Sequence, residues 1–195
     1  MLKKTKKRFH LKAYQIVLLW FLTLFLVVLA LVFLYVHRLL VQVESQPATK
    51  IMTASNGPTG YDYMVRQTPG GIISTRPVTF VVHVTKDGQP VANHQFKAGI
   101  SHSYGLFIDP RTSDLTDNTY MSDQNGTFTV VYKSKFWYWQ PDSGFGFGAE
   151  PVFTAQEQKD YYARISSGEA KGGESIGPTF DLNIYPSFLT HFIPN

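Results

Sequence analysis

The 195-residue chain contains no cysteine. That excludes a disulfide scaffold, a thiol nucleophile and cysteine-ligated zinc or iron–sulfur sites. Charged residues make up only 16%, and none falls between Ala13 and Val36. Glycine and proline are missing from the first 46 residues; all 15 Gly and all 11 Pro follow Gln46. Turn punctuation is therefore confined to the C-terminal part. Gly-x-Ser-x-Gly, His-Glu-x-x-His and Walker-type patterns are also absent. Gly144, Gly146 and Gly148 lack the strand-to-helix setting and the final spacing of a dinucleotide loop.

What stands at the N-terminus is a basic run followed by an apolar one. Residues 2–12 hold Lys3, Lys4, Lys6, Lys7, Arg8 and Lys12. The 24 uncharged residues 13–36 follow, with Tyr14, Trp20 and Tyr35 among them. As a helix this run spans a hydrocarbon core of ~30 Å with some tilt. Its apolar residues surround the helix instead of forming a stripe, so a soluble core helix is a poor fit. The run exceeds the 7–15 residues of a cleaved signal peptide, and Val43-Glu44-Ser45 is a weak cleavage site. Six basic residues before the run against Arg38 after it put the N-terminus in the cytoplasm. The expected layout is a basic cytoplasmic tip (1–12), a transmembrane helix (13–36), a juxtamembrane stalk (37–76) and an exported domain (77–195).

The formal charge of +4 belongs to that tip. Beyond Glu44 there are 11 Lys and Arg against 13 Asp and Glu. The exported part therefore has no surplus of cations to track phosphates, and nucleic acid is not an expected partner. The tip meets anionic lipid headgroups.

Alternation with period 2 marks several strands. Val78, Phe80, Val82 and Val84 share one face of residues 77–85, which end at the turn dipeptide Asp87-Gly88. Phe96 and Ala98 suggest another strand. Phe128, Val130 and Tyr132 share a face after the turn at Asp123–Gly126, and Phe180, Leu182 and Ile184 do so near the end. The expected fold is all-β, a β-sandwich with one short helix. That helix opens at Thr154-Ala155-Gln156-Glu157, which reads as a capping box, and stops near Ser166-Ser167-Gly168. Tyr161, Tyr162 and Ile165 would give it an apolar stripe. Tyr61–Arg66 reads as a short strand within the stalk.

The run Val78–Ala92, with its Gly88-Gln89-Pro90-Val91 turn, resembles the opening of a bacterial immunoglobulin-like domain of the invasin type. Ser122–Val130 resembles the same family's later turn and strand. Together they cover residues 78–132, about 55 of 195. The resemblance implies an immunoglobulin-like sandwich in an extracytoplasmic setting.

Candidate binding residues come from an unusual aromatic stretch. Phe136, Trp137, Tyr138 and Trp139, with Phe145 and Phe147 after a Pro141–Gly144 turn, form a candidate patch for a protein interface or for stacking on sugar rings. The competing reading puts them in the core. Asp109, Asp114, Asp117 and Asp123 are weak calcium candidates, because their spacing does not match an EF-hand and such residues also cap turns. His83, His94, His102 and His191 show no zinc-protease spacing, and no other cofactor is indicated. Ser101-His102-Ser103 is adjacency in sequence, not triad geometry. Asn125-Gly126-Thr127 matches a glycosylation sequon but explains itself as a turn.

These features lead to a non-enzymatic, membrane-anchored interaction module of the bacterial cell surface, with an envelope protein as partner. A subunit of a surface, secretion or conjugation assembly is one form this takes. The absence of cysteine fits a Gram-positive envelope. A wall-glycan receptor using Trp137 and Trp139 is the alternative, and an envelope hydrolase a third reading.

Overall fold

The computed structural model describes residues 12–56, 59–102, 119–133, 142–168 and 177–193. The chain falls into two compact units, Met1–Gln42 and Val43–Asn195. The first is dominated by helix α1, Ala13–Glu44. At 1.5 Å per residue its 32 residues extend about 48 Å. It is long and apolar enough to cross a membrane, and its most apolar stretch buries nothing against protein. Helical structure continues past the uncharged run, from His37 to Glu44.

The second unit is mostly β. Its strands are β1 (Lys50–Asn56), β2 (Tyr61–Thr68), β3 (Ile72–Ile73), β4 (Pro77–Lys86), β5 (Gln89–Pro90), β6 (Gln95–His102), β7 (Thr119–Met121), β8 (Thr127–Lys133), β9 (Asp142–Pro151) and β10 (Thr179–Tyr185). Helix α2 is Ala155–Ser166, and a short 3-10 helix covers Ser187–His191. One sheet runs β1-β2-β4, with β8 and β5 both beside β4. The other runs β3-β10-β9-β6-β7. All pairs are antiparallel except β3 with β10.

The two sheets meet through one apolar cluster. The Phe80 ring of β4 stacks on Phe147 of β9 with centroids 4.3 Å apart. Phe96 of β6 stacks on Phe128 of β8 at 5.2 Å. Inward residues alternate along each strand as the pleat requires: Val78, Phe80, Val82 and Val84 on β4, then Phe128, Val130 and Tyr132 on β8. Phe180, Leu182 and Ile184 do the same on β10. The Asp87-Gly88 turn places both residues at positive φ (53° and 75°). That is the geometry a two-residue hairpin needs, and it joins β4 to β5.

The structure corrects the expected stalk. Residues 50–73 are not a spacer, because β1 and β2 extend the first sheet and β3 joins the second. Tyr61, Tyr63 and Val65 of β2 are fully buried. Only Ser45–Thr49 connect α1 to β1. This connector is packed against the turn after β2. A Cβ added at Gly70 would lie 2.2 Å from the Pro47 carbonyl oxygen, so glycine is needed for the approach. The buried Gln67 amide fixes the same turn by donating to the carbonyls of Pro69 (3.0 Å) and Gly70 (2.7 Å). The C-terminus is tied down by Arg76, whose guanidinium donates to the carbonyls of Thr190 and Ile193.

A second correction concerns residues 142–144. In place of the expected turn, β9 begins at Asp142, and it carries Phe145, Phe147 and Ala149 into the core, which is the competing reading of those two aromatics.

Candidate functional site

Among the described residues, a polar cluster around Glu157 lies where β2 starts, away from the turn that meets the connector. There β4 ends and α2 packs. Helix α2 is built as the sequence predicts. Thr154 is its N-cap, its hydroxyl accepting from the Glu157 amide, while the Thr154 amide donates to Glu157 Oε2 at 2.8 Å. This reciprocal pair satisfies two backbone donors that a helix start leaves open.

Glu157 does a second job. Its Oε1 accepts from the Tyr61 hydroxyl of β2 at 2.7 Å. His94, just before β6, brings Nε2 within 3.0 and 3.1 Å of the two carboxylate oxygens. One carboxylate thus joins the helix start, the first sheet and the segment entering the second. Burial alone pushes the Glu157 carboxyl up. The Thr154 amide, the Tyr61 and Thr154 hydroxyls and His94 outweigh that and hold it at about 2. Burial, followed by the hydrogen bond and charge of Glu157, drives the Tyr61 phenol well above its ordinary value. Burial does the same to Tyr63, helped by Tyr61 and Glu150.

The His94 ring is held on both sides. Its Nδ1 lies 2.9 Å from the Gln95 carbonyl oxygen, opposite the Nε2 contact with Glu157. These two contacts fix the orientation of the ring. Lys86 Nζ sits 5.0 Å above the Tyr61 ring, a cation–π contact. Beside this cluster is a cleft of about 60 Å³, lined by Thr59, Lys86, Phe153, Asp160 and Arg164 among others. That is far below the ~300–1,000 Å³ typical of pockets that enclose a drug-sized ligand. The arrangement acts as a clamp that seats α2 on the sheets.

Phe136, Trp137, Tyr138 and Trp139 lie outside the described residues, as do Asp109, Asp114 and Asp117. Phe145 and Phe147 are 2% and 0% exposed, so they are core residues and not part of a surface patch. Asp123 Oδ1 accepts from the amides of Asn125 and Thr127, both at 2.8 Å, which is turn capping. Among the described residues no group of three His, Cys, Asp or Glu could hold a metal. His83 bonds across strands to the Thr127 hydroxyl at 3.2 Å, His191 ends the 3-10 helix, and the His102 side chain is outside the described set. Tyr162 does not join the α2 stripe; it is 57% exposed, while Tyr161 packs on Phe153.

Sequence reasoning missed Tyr61 and His94 as partners of Glu157. They stand 96 and 63 residues away, and only the capping box signalled Glu157. No protein-family model, curated protein or solved structure matches the chain.

Proposed function

We propose that the chain is a single-pass, membrane-anchored module whose immunoglobulin-like domain lies outside the cell and serves as a non-enzymatic interaction unit of the envelope. The observation that carries this is the unburied apolar helix, linked by five residues to a separately packed two-sheet domain. The basic run before the helix orients the N-terminus inward.

Strand pairing supports the immunoglobulin-like part. β4 and β8 share one sheet, as the second and fifth strands of that fold do, and β6, β9 and β10 are neighbours in the other, as C, F and G are. β2 pairs with β4 in the place of the first strand. The extra edge strand β1 and helix α2, inserted between β9 and β10, depart from the plain fold. The clamp around Glu157 fixes α2 at the loop end, where Tyr162 is exposed. A fixed helix with an exposed aromatic suits a protein contact, since little freedom is lost on binding.

Two experiments test this. Alkaline carbonate extraction of membranes should leave the full chain in the pellet; release into the supernatant would remove the anchor. A photo-cross-linking residue at Tyr162 should give one recurring protein adduct in intact cells. Equal yield from the same residue at Lys97, on the second sheet, would mean that α2 is not the contact.

A further inference from the structure

The outer face of the first sheet carries a hollow of about 280 Å³. We propose that it binds a pyranose unit of a neutral polysaccharide. Its chemistry stands on the residues below, and its natural setting rests on the exported reading above.

Register builds the hollow. Thr53 of β1, Met64 of β2 and His83 of β4 lie in one cross-strand row; Ser55, Asp62 and Thr85 lie in the next. All six line it. Among the described residues the side chains of Thr53, Ser55, Asp62 and Thr85 are not spent on protein hydrogen bonds. His83 uses Nδ1 on the Thr127 hydroxyl, which leaves Nε2 for a ligand.

The donor set selects the ligand. Three hydroxyls can each donate and accept, and one carboxylate accepts from two neighbouring hydroxyls. Met64, 40% exposed, offers an apolar surface to the C–H face of a ring. Asp62 has no cation within salt-bridge distance among the described residues, so an anionic ligand is repelled. A divalent cation lacks further carboxylates, since no metal-binding group forms here. A neutral polyol matches what remains. The volume falls just below the ~300–1,000 Å³ typical of pockets that enclose drug-sized ligands. It takes one sugar ring and leaves a polymer free to continue across the open face.

Full-length protein in phospholipid nanodiscs would be titrated with cellotetraose and with the N-acetylglucosamine tetramer, read by saturation-transfer NMR. At least one should bind saturably. Asp62→Asn and His83→Ala should each weaken it about tenfold or more, because each removes a directed polar contact. Asp160→Asn on α2 should leave it unchanged. The melting curve of Asp62→Asn should match the parent, since Asp62 is outward-facing and Asn keeps its shape, whereas His83→Ala also loses the bond to Thr127 and is compared at a temperature where its melt shows it folded. No saturable binding of either probe, or binding untouched by both hollow variants, overturns the proposal. Labelling of an exposed turn from outside the cell reports location independently. A domain that proves cytoplasmic and a hollow that proves empty are therefore separate failures.

Discussion

Glu157→Gln keeps the shape of the side chain and removes its charge. In the folded domain the carboxyl titrates at about 2, against 4.5 for an unpaired one. That difference corresponds to about 3 kcal/mol of folding stability at neutral pH. The sign follows from the lowered value. The unfolded chain takes up the proton first as pH falls, so the stability is complete above about 4.5 and drains away toward 2. By pH 3 less than half of it remains. In a domain of this size each kcal/mol moves the melting temperature by ~2–4 °C. Calorimetry of the full chain in nanodiscs should therefore show the variant melting ~6–12 °C below the parent at pH 7 and ~3–6 °C below it at pH 3. A loss under about 2 °C at pH 7, or the same loss at both pH values, would refute the clamp as the source of that stability.

Three more outcomes follow from the same geometry. Tyr61→Phe keeps the buried ring but deletes the donor to Glu157; it should cost ~1.5–3 kcal/mol, and NMR titration should find the Glu157 carboxyl moved up. Phe147→Ala empties the site stacked on Phe80 at 4.3 Å and should cost ~3–5 kcal/mol in the same melt. Gly70→Ala forces a methyl against the Pro47 carbonyl; it should loosen the connector and speed tryptic cleavage after Lys50, while a folded core elsewhere keeps its melt within a few kcal/mol of the parent.

The strands most legible in the sequence are those whose inward positions are all apolar. β4, β8 and β10 each show three or four such residues in strict alternation, and a solvated outer face makes the period visible. β2 was legible as a short strand over Tyr61–Arg66 but not as part of the domain, because its inward set is Tyr61, Tyr63, Val65 and Gln67. A polar residue ends that pattern, and glycine and proline flank it on both sides, so it read as part of a stalk. β9 hid because glycines alternate with its inward Phe145, Phe147 and Ala149. Glycine weakens a strand on its own, and only the partners on both sides make it one. The capping box at Thr154–Glu157 was readable because its bonds span three residues. The rest of the clamp was not, because tertiary folding alone brings Tyr61 and His94 to the same carboxylate.

The absence of cysteine makes one measurement unusually clean. Asn125→Cys would put a single thiol on the exposed turn before β8, and Lys7→Cys would put one on the basic tip. A membrane-impermeant maleimide applied to intact cells should label the first and reach the second only after permeabilisation. Labelling of the tip variant alone would invert the topology. Protection of both until lysis would place the domain inside the cell and contradict the account.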